Sequence, residues 1–215
     1  MSHVNHLVVF VIHPDLFPSS SKIYWTAVGD GLRRLNIVPT TSFHAPDERA
    51  QEIASRILSQ TGGSKSSELN LLADPVSPCS PLSEEERLFL QRLISHSSVE
   101  LVEERFLKGG MENRFNIALF AWRDEIYQLF CTCWSQRPGV SLIVGHSLIL
   151  RSLFARMASK PPDQIGFTWS TTGIVVVGLM GGVFQRAVYF KNLVATLSRP
   201  STSGSGGFRG RNPDL

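Results

Sequence analysis

Two histidines in this 215-residue chain stand directly after runs of apolar residues. His13 follows Leu7–Ile12, and His146 follows a run that ends in Ile143-Val144-Gly145. Short apolar runs rich in valine are typical of buried strands. Apolar residues at helical spacing begin right after His146, so this imidazole is predicted at the carboxyl end of a strand and beside a helix N-terminus. Ligands of open α/β sheets bind at that edge, and helix N-termini attract anions, so the position suits phosphate chemistry.

Two charged residues also come shortly after other predicted strands. Arg49 lies in the first turn of a predicted helix, and Glu104 comes after the apolar segment Val99–Val102. In such a set one imidazole can attack phosphorus, while the other and the guanidinium bind the phosphate oxygens. A carboxylic acid can then protonate the leaving oxygen. Glu103 is as well placed as Glu104 for that last role, and the sequence leaves this choice open.

These residues and their flanks resemble the histidine phosphatase (phosphoglycerate mutase-like) superfamily, most closely its mitochondrial serine/threonine protein phosphatase branch. The segments that carry the resemblance are Val8–Pro14, Pro46–Ile53, Leu101–Glu104 and Ile143–Arg151. The resemblance extends over about residues 7–193 and is weak across 59–82. It implies that His13 is phosphorylated in a covalent intermediate and that His146 and Arg49 hold the phosphoryl group. It further implies that Glu104 is the acid, and that neither a metal nor an organic cofactor is required.

The first motif departs from the family pattern. Ile12 stands where the family has an arginine before the histidine, and Pro14 replaces the small residue after it. A guanidinium supplies a charge and a fork of donors that isoleucine lacks. Losing one donor aimed at developing charge costs about 10²–10³ in rate. Arg105, Arg151 and Lys22 are the cations available to compensate.

Three functions therefore stay open. The first is a hydrolase of phosphomonoesters or serine/threonine phosphoproteins that works through phospho-His13, weakened by Ile12. The second is an inactive pseudophosphatase that serves as a structural or interaction subunit of a larger, mitochondrial assembly. The third is a module that binds a phosphate ligand without hydrolysing it.

Composition excludes several other classes of protein. Hydrophobic residues make up 42% of the chain and charged residues 18%, which is typical of a globular protein. The net charge of +3 comes with no basic stripe interleaved with aromatics, so no nucleic-acid partner is expected.

Three cysteines do not form a disulfide framework, which favours an intracellular location. The resemblance points to mitochondria, and the cytoplasm is the alternative. No stretch of 18 apolar residues occurs, so no transmembrane segment is expected.

Alternating strand and helix patterns predict one three-layer α/β domain over residues 1–197. Its sheet is mostly parallel, with helices on both faces and an edge β-hairpin that turns at Gly181-Gly182. Strands are predicted over Leu7–Ile12, Val38–Phe43, Val99–Val102, Val140–Val144, Thr172–Met180 and Val183–Lys191. Helices are predicted over Ala27–Leu35, Asp47–Leu58, Ser83–Ile94, Phe115–Trp134 and Leu148–Ser159. The Ser/Gly/Pro-rich segment 59–82 is predicted as a mobile surface insertion and 198–215 as a disordered tail. His3, His6, His44 and His96 are predicted as ordinary surface or loop residues.

Overall fold

The computed structural model describes residues 5–12, 21–63, 65–96, 113–136, 138–159 and 173–197. His13, Glu104, the predicted strand 99–102 and the predicted tail 198–215 lie outside these ranges. The expectations for these residues therefore stay predictions.

Six strands and six helices occur within the described ranges. The strands are β1 (His6–Ile12), β2 (Thr41–His44), β3 (Ser67–Glu68), β4 (Gly139–Gly145), β5 (Ile174–Met180) and β6 (Val183–Phe190). The helices are α1 (Ser21–Arg34), α2 (Glu48–Thr61), α3 (Glu84–His96), α4 (Asn113–Gln136), α5 (Ser147–Ala158) and α6 (Leu193–Leu197). A 3-10 turn, Asn70–Leu72, follows β3.

The strands form one sheet in the order β3-β2-β4-β1-β5-β6. The first four run parallel, while β5 and β6 are antiparallel to their neighbours. The hairpin between β5 and β6 turns at Gly181 and Gly182, both with positive φ, a conformation that glycine adopts without strain. The predicted mostly parallel α/β sheet with an edge hairpin is confirmed.

Apolar residues on both faces of the central strands explain why helices cover the sheet. Val8–Val11 of β1 and Leu142–Val144 of β4 are completely buried. Helix α1 packs on α2 and α6, while α4 packs on α5. The ring of Phe43 on β2 lies 5.2 Å from that of Phe130 on α4, which fixes α4 against the sheet. Of the helices in the described ranges, none combines the length and the apolar character needed to cross a membrane.

Residues 65–82 belong to the segment predicted as a mobile surface insertion, and part of this segment packs against the sheet and the core. It contains β3, which extends the sheet beside β2, and Leu72 is completely buried. The backbone N–H of Leu69 donates to the carbonyl of His44, which ties the segment to the end of β2. The segment is anchored by a few apolar residues, which are hard to recognise in a sequence rich in polar residues.

Other boundaries and burials also differ from the sequence predictions. Helix α1 begins at Ser21 rather than Ala27, β2 covers Thr41–His44 rather than Val38–Phe43, and α6 was not predicted. His6 and His44 were predicted at the surface or in loops, but they lie on strands and are only 5% and 4% exposed. Each is accommodated by a hydrogen bond: His6 Nε2 shares one with the Ser141 hydroxyl, and His44 Nδ1 donates to the Ala45 carbonyl.

Candidate active site

The carboxyl ends of β1, β2 and β4 meet at one edge of the sheet. Ile12 pairs with Gly145, and His44 pairs with Val144. The connection after β2 stays close to this edge, because the N–H of Ala45 donates to the Val144 carbonyl over 2.9 Å. The first residue beyond β4 is His146, so its imidazole stands where three parallel strands end.

His146 is the N-cap of α5. Its backbone is extended (φ −67°, ψ 141°), and its Nδ1 accepts the N–H of Leu148 over 3.3 Å. An imidazole nitrogen that accepts a hydrogen bond carries no proton, so the proton of the neutral ring is on Nε2. The residue is 7% exposed. This histidine therefore offers one N–H donor, held in place by the helix that it caps.

Asp74 is the carboxylate that the structure brings to His146. Its Oδ1 lies 4.0 Å from His146 Nε2, longer than a hydrogen bond but within range of an ionic interaction if the imidazole is protonated. The same oxygen accepts the N–H of Val76 over 2.9 Å, which fixes its orientation. The side chain is 36% exposed, so it opens to solvent beside a buried histidine.

Sequence reasoning missed Asp74. It stands in the segment predicted to be a mobile insertion, far along the chain from His146. One signal in the sequence could have indicated it. The apolar pair Leu71-Leu72 can anchor the chain, and Asp74-Pro75 after it is typical of a turn, so the Asp74 carboxylate would be held in place. Only the long-range packing of that segment shows where the carboxylate lies.

Arg49 lies in the first turn of α2, which begins four residues after β2 ends. Asp47 caps this helix by accepting the N–H of Ala50 over 2.8 Å. Arg49 is exposed at the same end of the helix, facing solvent near the carboxyl edge of the sheet. The structure thus agrees with the predicted helix position of Arg49, and its part in a phosphate site stays a prediction.

An ion-pair group occupies the next turn of α2. Glu52 accepts from Arg56 over 2.8 Å and lies 3.4 Å from Lys22 Nζ on α1. The hydrogen bonds from Arg56 are the main reason that the pKa of Glu52 is lowered, with a further contribution from Lys22. Because Lys22 has this carboxylate partner, it is a poor replacement for a missing phosphate-binding arginine.

Ile12 occupies the last position of β1 and belongs to the hydrophobic core, with only 3% exposure. Arg151, another candidate cation, is half-buried on α5 one turn beyond His146. Within the described ranges, no three His, Cys, Asp or Glu side chains are grouped so that they could hold a metal ion. His146 and Asp74 form a polar pair at this edge, 4.0 Å apart.

Comparison with solved structures identifies the architecture. The protein Rv3214 from Mycobacterium tuberculosis superposes with a TM-score of 0.57, covering 86% of this chain and 96% of its own at 17% identity. The fold is phosphoglycerate mutase-like. A phosphoglycerate mutase from Bacillus anthracis gives a TM-score of 0.56 at 14% identity, over 89% of this chain and 97% of that one.

A phosphoserine phosphatase from Entamoeba histolytica, solved with 3-phosphoglyceric acid, matches equally well. Its TM-score is 0.56 at 14% identity, and the match covers 87% of this chain and 99% of that chain. Likeness at these identities establishes the fold and leaves the activity to the site. No family model matches the sequence, and no curated protein is significantly similar to it.

Proposed function

We propose that the protein hydrolyses phosphomonoesters through a phosphohistidine at His13, without a cofactor. The observation that carries this proposal is the buried, helix-capping His146 with Asp74 4.0 Å from its Nε2, at the carboxyl edge of a phosphoglycerate mutase-like sheet. Structural neighbours that are a phosphoserine phosphatase and a phosphoglycerate mutase support phosphate esters as the substrate class. The proposed substrates are phosphorylated small molecules and serine/threonine phosphoproteins.

His13 is proposed as the nucleophile because the family resemblance indicates it. It follows directly on Ile12, the residue of β1 that pairs with Gly145. An imidazole nitrogen of His13 forms a bond to phosphorus while the ester oxygen leaves. Water then attacks phospho-His13 and releases inorganic phosphate. The Nε2–H of His146 and the guanidinium of Arg49 bind the phosphoryl oxygens, where negative charge builds up.

The proton donor has three candidates, since Glu103 is as well placed in the sequence as Glu104. Glu104 is the residue that the family resemblance indicates, and Asp74 is the one that the geometry favours. The leaving oxygen must gain a proton from the carboxylic acid in the first step, and the resulting carboxylate takes a proton from water in the second. Asp74 suits both steps, because it lies next to the phosphate-binding histidine and is open to solvent on one side.

Kinetics with two leaving groups test these assignments. With phosphoserine, loss of the true proton donor by Asp74→Asn or Glu104→Gln should lower kcat by about 10²–10⁴. With p-nitrophenyl phosphate the same variant should keep a fast first burst of nitrophenolate, because nitrophenolate leaves without a proton. Its later turnover should be slow, because the second step still lacks the base. Asp30→Asn, at a half-buried carboxylate on α1 that pairs with Arg33, is the control. Undiminished turnover by His13→Ala would refute the proposed hydrolysis.

A second function, a pseudophosphatase, is favoured by Ile12. This residue lies in the core with 3% exposure, so the first motif contributes no cation to a phosphate there. The protein would then act as a structural or interaction subunit of a larger assembly, with mitochondria as its proposed location. It would hydrolyse neither p-nitrophenyl phosphate nor phosphopeptides and would co-purify with protein partners.

Replacement of Ile12 by arginine separates the two functions. Strong activation by Ile12→Arg indicates an intact site that the native residue weakens, and no activity in either protein favours the pseudophosphatase. Ile12→Gln is the control, because it is polar and nearly as long but carries no charge. Since the position is buried, thermal melting of each variant must accompany the assay.

A further inference from the structure

Residues 69–74, the Asp74 segment, connect β3 to the candidate site and are held at three points. The N–H of Leu69 donates to the His44 carbonyl over 2.9 Å. Leu72 is completely buried, and its Cβ is 3.4 Å from where a Cβ on Gly145 would lie. The third point is on α4, because the indole N–H of Trp122 donates to the Leu71 carbonyl over 3.0 Å.

The Trp122 hydrogen bond links residues 51 positions apart. Trp122 is 3% exposed, so water cannot readily replace the carbonyl as its acceptor. The 3-10 turn ends here, because the chain becomes extended at Ala73 (φ −57°, ψ 156°), and Asp74 follows immediately, beside His146.

We propose that Trp122 is a positioning residue that sets the distance of Asp74 from His146. It acts through its hydrogen bond to Leu71, in the turn that precedes the aspartate. Displacements of an ångström in a catalytic group are enough to reduce a rate strongly, so the hydrogen bond matters for proton transfer. The kinetic part of this inference rests on the proposed function, while its structural part does not.

Helix α4 offers a matched control. Trp134 is buried, like Trp122, but its Nε1 has no hydrogen-bond partner among the described residues. Trp122→Phe and Trp134→Phe therefore make the same chemical change on one helix, and only the first removes an established hydrogen bond. The full chain is used for both variants.

Nuclear magnetic resonance provides a readout that needs no activity. Trp122→Phe should shift the backbone amide signals of Val76, which donates to Asp74, and of Leu148, which donates to His146. Trp134→Phe should leave both signals in place. Trp122→His keeps a ring N–H donor and should move the Val76 signal less than phenylalanine does. It also serves as the second variant if Trp122→Phe does not fold.

Kinetics with phosphoserine complete the test. Trp122→Phe should lower kcat about tenfold and leave KM within about twofold, while Trp134→Phe changes neither. In an Asp74→Asn background, Trp122→Phe should have no further effect on kcat, because the group that it positions is gone.

Unchanged Val76 and Leu148 signals in Trp122→Phe would overturn the positioning role. So would equal shifts in Trp134→Phe, or a full kcat loss from Trp122→Phe in the Asp74→Asn background. If the wild-type protein hydrolyses no phosphate ester, the proposed function fails, and the comparison of amide signals still decides the role of Trp122.

Discussion

Replacement of Leu72 by alanine tests whether the segment that carries Asp74 is part of the hydrophobic core. The Leu72 side chain is completely buried and packs where β4 ends at Gly145. Removing a buried leucine side chain costs its transfer free energy and leaves a cavity, for a total of about 2–5 kcal/mol. Because the site is fully enclosed, we expect about 3 kcal/mol. For a chain of this size that lowers Tm by roughly 6–12 °C.

The assay is denaturant unfolding of wild type and variant, with thermal melting as a second measure. Leu88→Ala on α3 is the control, because Leu88 is 45% exposed and its truncation should cost well under about 1 kcal/mol. A free energy of unfolding for Leu72→Ala no lower than that of Leu88→Ala would refute the packing, and with it the argument that Asp74 is fixed beside His146.

Two further predictions concern α2, which carries Arg49. Asp47→Ala removes the N-cap acceptor for Ala50 and should lower the free energy of unfolding by about 1 kcal/mol, with Asp47→Asn close to wild type; equal losses in both variants would contradict the cap. Arg56 and Lys22 lower the pKa of Glu52 from its usual value of 4.5. The stability that Glu52 contributes is therefore present above pH 4.5 and is lost as the pH falls through the lowered pKa. Chemical unfolding across pH 3–7 should therefore show Glu52→Gln less stable than wild type at the upper end only, with no such trend for the control Glu125→Gln on α4.

The strands and helices that position the site were largely predictable from local patterns. Valine-rich runs identified β1 and β4, and the change at Gly145 from a buried run to helical spacing placed His146 at a strand end. Those signals are local, because burial on both faces of a strand requires continuous apolar residues. The position of Arg49 in the first turn of α2 was predictable for the same reason.

Asp74 was not predictable, because its position depends on contacts between distant parts of the chain. The residues that follow it are rich in serine and proline, and its segment is anchored by the buried side chain of Leu72 and by hydrogen bonds to His44 and from Trp122. The burial of His44 depends on both a distant and a local contact. His44 ends the short strand β2, which pairs with β4 at Val144, and its Nδ1 donates to the carbonyl of the next residue, Ala45, which allows the imidazole to be enclosed.

Trapping a phosphoenzyme tests the central claim most directly. Wild-type protein mixed rapidly with phosphoserine or p-nitrophenyl phosphate, quenched in alkali and analysed by peptide mass spectrometry should carry an acid-labile phosphoryl group on His13. Asp74→Asn should form it from p-nitrophenyl phosphate and release it slowly, and His13→Ala should form none. Hydrolysis without any phosphohistidine, or a phosphoryl group on another residue with His13→Ala fully active, would contradict the account.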